Sequence, residues 1–396
     1  MKSGWQRKKV REIAQHSLGK MLDRAKNKGQ PLPYLRNTNV RWFEFDLSDL
    51  LEMRFLPVET AKYTAIRGDL LICEGGYPGR AAIWDQDYPI HFQKALHRVR
   101  FNQPQHTKWF LYYLHALDLA GTLRKHFSGT GIQHFTGEAL AEFEMPLAPL
   151  PELERIVGII DEAFDRIATA KANAEKNLKN ARALFESQLQ TVFAQCGESW
   201  ATKRLGDVVV RLTNGYVGPI RNIYQESGVP YLLARHVKSN RLLFDGKTFI
   251  SDKFNRKNKK SMLKAGDVLL VQSGHIGHSA VVTDEHEGHN CHAMIVITPV
   301  KDILTGPFLS LFFLSSGMKR KFEEIRSGST VPHLTCGAVR ELPIALPRLP
   351  AQRQMVASVE EIRTETERLE SIYQQKLAAL EALKQSLLHQ AFTGAL

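Results

Sequence analysis

Two long stretches of this chain copy one another, and few architectures accommodate that. Residues 151–197 open with Pro151, Glu152 and Glu154, a proline and acids suited to a first helical turn. Apolar residues then recur in steps of four and three, through Ile156, Ile160, Ala163, Ile167, Ala170 and Ala174. The series continues less strictly through Leu178, Ala181, Phe185, Leu189 and Val192. A 3.5-residue period predicts a coiled-coil seam rather than a helix on a globular surface. At ~1.5 Å per residue the helix spans roughly 65 Å before Gly197 ends it. Pro350 opens a second such helix. Its seam is Met355, Val359, Ile362, Thr366, Leu369, Tyr373, Lys376, Leu380, Leu383, Leu387 and Ala391, and Gly394 closes it. The two align without a gap at a constant offset (350 − 151 = 199), which pairs Val157 with Val356, Leu184 with Leu383 and Phe193 with Phe392. Thr366 and Lys376 on an otherwise apolar seam suit register control. Two matched helices in one chain, with a long segment between them, predict an antiparallel pair.

The stretches before the helices match as well. Pro33-Tyr34-Leu35 through Val40 resembles Pro230-Tyr231-Leu232 through Val237, and Gly68-Asp69-Leu70-Leu71-Ile72 resembles Gly266-Asp267-Val268-Leu269-Leu270. Gly76 and Gly79 fall opposite Gly274 and Gly277; Ser128-Gly129 and His134 fall opposite Ser327-Gly328 and His333. A period near 200 is far beyond solenoid repeats. The expected organisation is a globular unit at 1–150, a helix at 151–197, a second unit at 198–348 and a second helix at 349–396, with pseudo-two-fold symmetry. In each unit, Gly-Asp, an apolar run, a glycine cluster and a second apolar run read as two strands joined by a tight turn. Lys108–Leu123 and Pro307–Ile325 read as amphipathic helices. Each unit is therefore a mixed α/β (α+β) domain.

A chain of 396 residues is long enough for two or three cores. Its net charge of +12 and pI near 9.5 favour a polyanionic partner. No apolar run reaches the ~20 residues of a membrane span, and the N-terminal Met1-Lys2-Ser3-Gly4-Trp5 lacks a signal-peptide core. Cys73, Cys196, Cys291 and Cys336 form no close pair, which points away from disulfides and Cys-based zinc sites. The expected compartment is the cytoplasm.

Catalytic signatures are missing. There is no G-x-x-x-x-G-K-[ST] phosphate loop and no G-x-S-x-G elbow. There is also no Asn-Pro-Pro-aromatic or Asp-Pro-Pro-aromatic tetrapeptide of the amino-methylating kind. His286, His289 and His292 invite a metal-dependent nuclease as a rival reading, but His286-Glu287-Gly288-His289 is one residue short of the metalloprotease spacing. No metal and no catalytic residue is expected. The basic residues say more. Lys253, Arg256, Lys257, Lys259 and Lys260 occupy one polar loop of the second unit; Lys20, Arg24, Lys26 and Lys28 occupy the comparable stretch of the first. Both runs precede a glycine-bearing hairpin, as phosphate contacts that hold register would. Arg36, Asn37, Asn39, Arg235 and His236 are of the right types to hydrogen-bond bases or phosphates.

Leu150-Pro151-Glu152-Leu153-Glu154-Arg155-Ile156-Val157, Leu349-Pro350-Ala351-Gln352-Arg353-Gln354-Met355-Val356, the Pro-Tyr-Leu segments and Ala391-Phe392-Thr393-Gly394 together resemble the specificity subunit of type I restriction-modification systems. The resemblance covers essentially the whole chain. Leu153 departs from it where glutamine is usual, and Gln352 keeps it. The resemblance implies a non-catalytic subunit whose two variable units are target recognition domains for the halves of a split, asymmetric double-stranded DNA sequence. It implies that the paired helices set the gap and dock modification subunits, two of them in the expected assembly. Adenine-N6 methylation with S-adenosylmethionine, and ATP- and Mg-dependent cleavage by a restriction/translocase subunit, then belong to partners. A specificity subunit for a partner that fuses methylation and cleavage fits the same sequence. The DNA contacts expected are Arg36, Asn37, Gly76, Arg80, Gly129, Thr130 and His134 in the first unit. In the second they are Arg235, His236, Ser273, Gly274, His278, Gly328, Ser329 and His333.

Overall fold

The computed structural model describes residues 3–23, 25–194, 200–238, 240–328 and 332–396. Two compact units emerge. One takes Met1–Glu175 and Gln374–Leu396, the other Lys176–Tyr373, so each owns one globular stretch and half of each long helix.

In the first unit, strands β1 (Ala14–Leu18), β2 (Leu70–Cys73), β3 (Ala81–Ile83) and β4 (Leu96–Phe101) form an antiparallel sheet of order β1-β4-β2-β3. The apolar run in β2 is explained by burial on both faces. Leu70 and Ile72 join a core with helix α1 (Gln105–Leu119), through Trp109, Phe110 and Leu114. Leu71 and Cys73, pointing the other way as strand alternation demands, join a core with Leu35, Ile90 and Phe92. Those residues come from a smaller mixed sheet of Leu51–Phe55, Gln30–Leu35, Ile90–Phe92 and Thr64–Ala65. Helix α2 (Leu150–Ala194) follows.

The second unit repeats this plan. Strands β5 (Val209–Asn214), β6 (Val268–Val271), β7 (Ser279–Val281) and β8 (Met294–Pro299) take the order β5-β8-β6-β7, all antiparallel. Val268 and Leu270 face one core, Leu269 and Val271 the other. Pro307–Ile325, expected as one helix, is two: α3 (Gly306–Leu314) and α4 (Ser316–Ile325). Ser315 breaks them by turning extended and accepting a hydrogen bond from the Met318 amide at 3.3 Å, the usual chemistry of a serine N-cap. Helix α5 (Leu349–Thr393) ends the fold, and Gly394 follows with φ +79°.

The Gly-Asp motif is structural in both units. Asp69 is buried, taking the Ile66 amide at 2.8 Å and two Arg100 nitrogens at 2.7 and 2.6 Å. Asp267 is buried likewise, with the Lys264 amide at 2.8 Å, Thr298 Oγ1 at 2.5 Å and Arg211 as its cation. Each carboxylate is thus paired and hydrogen-bonded, as a buried charge must be.

The helix pair is antiparallel within each unit. In the first, Leu153, Ile156 and Ile160 share a core with Leu388 and Ala391, Arg155 Nη2 donates to the Leu396 carbonyl at 2.9 Å, and Lys384 Nζ lies 4.6 Å from the Phe164 ring centroid. In the second, Arg182 pairs with Glu370 at 3.3 Å and the Arg363 guanidinium lies 5.3 Å from the Phe185 centroid. Both helices are 45 residues long and their bounds keep the expected offset (349 − 150 = 199, 393 − 194 = 199). One expectation fails. Lys376 and Leu383 are exposed, while Leu377 and Lys384 join the expected Leu380, Leu387 and Ala391 on the covered side, with Leu388 buried. A straight helix of 3.6 residues per turn drifts off a strict heptad, so the stripe moves by one residue there. Gly197, the expected end of α2, lies outside the described residues.

Candidate nucleic-acid interface

In the first unit the turn between β2 and β3 is closed by two bonds. Cys73 N donates to Arg80 O at 2.8 Å, and Gly79 N donates to Cys73 O at 2.9 Å. Gly76 and Gly79 have φ of +77° and +84°, the left-handed region that favours glycine. A Cβ on Gly76 would also collide with the Asn37 amide. Asn37 Nδ2 donates to Gly75 O at 3.0 Å, and Arg80 Nη2 donates to Asn37 O at 2.9 Å. Beside this turn lies the loop 128–134, pinched by Ser128 N to His134 O at 2.9 Å and its reciprocal at 2.8 Å. Phe135 N bonds Glu74 O at 2.7 Å, and His134 Nδ1 sits 3.1 Å from the Glu74 carboxylate. Six expected contacts, Asn37, Gly76, Arg80, Gly129, Thr130 and His134, therefore share one edge. Arg36 turns away, its Nη2 held by the Asp49 carboxylate at 2.6 Å and carbonyl at 2.8 Å.

The second unit builds the same edge. Val271 N donates to His278 O at 2.8 Å and Gly277 N to Val271 O at 3.1 Å, with Gly274 and Gly277 at φ +74° and +86°. Ser327 and His333 exchange bonds of 2.9 and 2.8 Å, Ser273 bridges to His333, and Leu334 N donates to Gln272 O at 2.8 Å. Ser273, Gly274, His278, Gly328 and His333 are thus brought together. Ser329 lies outside the described residues. Burial, and then the neighbouring His275, hold the His278 pKa below its ordinary value.

His236 needs correction, and Arg235 stands apart from the edge. Arg235 is exposed but ion-paired, its Nε 3.2 Å from Asp245. His236 is 1% exposed; its Nδ1 accepts from the Leu233 amide at 3.1 Å and its Nε2 lies 3.1 Å from Asp245. Asn39, its counterpart in the first unit, does the same task, accepting from the Arg36 amide at 2.9 Å. Both are buried turn-holders, closed to a duplex in this conformation.

The basic runs differ from expectation. Lys20 is buried, 2.5 Å from Glu59 and 2.9 Å from the Arg54 carbonyl, so it is no phosphate contact. Arg24 lies outside the described residues; Lys26 and Lys28 are exposed. In the second unit the cations stand on a helix (Asp252–Lys257) and a 3-10 turn (Lys259–Ser261), not in a loop. Asn255 anchors that helix, donating to Gly288 O at 2.9 Å and accepting from Asn290 at 2.9 Å, while Lys253, Arg256, Lys257, Lys259 and Lys260 remain exposed.

Two members of the histidine cluster make local bonds, while His289 Nδ1 is buried without a hydrogen-bond partner among the described residues. His286 Nδ1 is 2.8 Å from Thr283 Oγ1, and His292 Nδ1 is 3.4 Å from the Tyr231 hydroxyl. Among the described residues no group of three or more His, Cys, Asp or Glu side chains could hold a metal, and no helix is long and apolar enough to cross a membrane. Burial pushes the Cys73 and Cys291 thiols up to about 11 and about 12, as for inert core cysteines.

Tyr77 and His275, which sequence reading did not single out as DNA contacts, stand exposed between the two turn glycines at matching positions.

Comparison with known proteins gives one answer. The family described as Type I restriction modification DNA specificity domain matches residues 2–180 and 197–380. The chain is 21% identical over 342 residues to the EcoBI specificity subunit of Escherichia coli, covering 80% of this chain and 71% of that one. It is 22% identical over 302 residues to the MjaVIII specificity subunit of Methanocaldococcus jannaschii, covering 72% and 69%. Among solved structures, a chain reported with the assembly and conformational transition of the type I R-M system matches with TM-score 0.76, at 19% identity over 99% of this chain and 98% of that one. The HsdS subunit from Thermoanaerobacter tengcongensis matches with TM-score 0.61, at 18% identity over 100% and 98%.

Proposed function

The chain belongs to the family of type I restriction modification DNA specificity domains, and from that premise we propose that it selects a bipartite, asymmetric double-stranded DNA sequence for a type I restriction-modification complex. Each globular unit reads one half. The observation that carries this is the edge built twice, with the same backbone bonds around turn and loop but different side chains on it. A duplicated frame with divergent side chains suits two readers of two different half-sites, since groove-edge side chains specify sequence. The two 45-residue helices set the gap between the halves, which must meet the groove on one face of the duplex. They also dock modification subunits, expected to be two. The exchangeable readers are 1–150 and 198–348; the helices at 151–197 and 349–396 are the constant parts.

The chain itself is non-catalytic. Adenine-N6 methylation with S-adenosylmethionine, and ATP- and Mg-dependent translocation and cleavage, reside on the partner subunits, in the cytoplasm. The test is a base-resolution methylation map. The chain is expressed with its modification partner in a host lacking adenine methylation. Methyladenine should be confined to one split, asymmetric motif, and exchanging residues 198–345 should change only one half of it. A formed, competent complex that methylates nothing, or methylates without a motif, overturns the proposal.

A further inference from the structure

The two glycine turns differ in the one feature most open to solvent. In the first unit Tyr77 stands between Gly76 and Gly79, 62% exposed, with the Arg80 guanidinium 4.1 Å from its ring centroid. Arg80 is itself fixed by the Asn37 carbonyl at 2.9 Å. In the second unit the same position is His275, exposed, its ring centroid 5.3 Å from that of His278. The backbone beneath is the same: Arg80 N donates to Tyr77 O at 3.1 Å, and His278 N donates to His275 O at 3.2 Å. Both positions keep the offset that relates the turn glycines (275 − 77 = 198, 278 − 80 = 198, 274 − 76 = 198). The same turn thus presents a ring beside a second planar group twice, Tyr77 with Arg80 in one unit and His275 with His278, tilted by 59°, in the other.

We propose that Tyr77 and His275, held in place by Arg80 and His278, are specificity-determining base contacts, each for the half-site its own unit reads. The inference rests on the DNA-selection reading above. Tyr77 carries no charge, so any contact it makes releases no counterions, and its ring and hydroxyl suit base edges and apolar base surface. Its hydroxyl both donates and accepts, and the His275 ring carries two nitrogens that can hydrogen-bond a base edge. Contact with Arg80 or with the tilted His278 ring restrains each ring before DNA arrives, and a pre-ordered side chain with two torsions loses little freedom on binding. The different pairs in one frame would give the two halves different base preferences.

The experiment uses the full chain in complex with its modification subunits and a pool of duplexes randomised in both halves. Bound DNA is sequenced for the wild type, Tyr77→Ala and His275→Ala, and affinity is followed against salt. Tyr77→Ala should relax preference roughly tenfold at one or two adjacent positions of one half only, and His275→Ala likewise in the other half. The salt slope should not change, because no phosphate contact is lost. Unchanged preference in either variant, or uniform weakening with a shallower slope, overturns the assignment while leaving the DNA-selection reading intact. A wild-type complex that selects no motif overturns the reading beneath it instead.

Discussion

His115 offers a test of the first unit's core that can be worked to a number. It lies on α1, 5% exposed, with the Trp42 ring 4.6 Å and the Phe43 ring 4.9 Å away, and neither ring nitrogen has a hydrogen-bond partner among the described residues. Burial, and then the Lys384 charge, lower its pKa from 6.5 to about 3. The folded protein therefore refuses a proton that the unfolded chain accepts below 6.5. Between those values the unfolded state binds more protons, so stability is complete above pH 6.5 and falls as the pH drops toward 3. At pH 5 the linkage relation gives a loss of about 2 kcal/mol from this group alone. Replacing His115 by Phe removes the proton site and keeps a ring of similar shape. Urea unfolding at pH 7.5 and pH 5, followed by tryptophan fluorescence, reads the first unit mainly, since Trp5, Trp42, Trp84 and Trp109 belong to it and only Trp200 to the second. The drop in stability between the two pH values should be about 2 kcal/mol smaller in the variant. Buried histidines common to both proteins, such as His97 and His106, cancel in that comparison. An equal drop in both proteins would refute the reasoning.

Gln352 is fully buried and its side chain ties the start of α5 to the chain before α3, donating to Ile303 O at 2.8 Å and Pro347 O at 2.9 Å and accepting from Thr305 N at 2.9 Å. Gln352→Leu, which copies the residue at the matching position 153, strands those three groups and should cost about 3 kcal/mol or more in the second unit's unfolding transition; a change below 1 kcal/mol would contradict this. The exposed cations on the helix Asp252–Lys257 and its following turn should act on phosphate. Lys257, Lys259 and Lys260 changed together to Ala should flatten the log affinity against log salt line by about 0.9 per lost contact, with base preference unchanged, and an unaltered slope would exclude them.

The duplication was legible because it rests on local signals. Helix periodicity, glycines at forced φ and the Gly-Asp turn are written in short stretches, so the β2–β3 and β6–β7 hairpins and both long helices were recoverable. What depended on tertiary contact was not. Lys20 reads as a surface cation until Glu59 comes to it, and His236 reads as a base contact until Asp245 and the Leu233 amide enclose it. Lys376 and Leu383 satisfied a heptad on paper, but Leu377 and Lys384, one residue on, turn inward in their place. The edge itself was half visible: glycine spacing marked the turn, while the residue it lifts into solvent carries no pattern of its own.

The two seam contacts between ring and cation are not symmetric in origin. Both rings, Phe164 and Phe185, come from α2, and both cations, Arg363 and Lys384, come from α5. By the 199-residue offset Phe164 matches Arg363 and Phe185 matches Lys384. Two copies of the second helix laid antiparallel would bury cation against cation, a pairing that desolvation and repulsion both oppose. Two copies of the first would lose the attraction of ring for charge. None of the four residues lies within 198–345. Exchange of that segment would therefore leave both seam contacts intact, whereas the two helices, though matched in sequence, are not interchangeable at this joint.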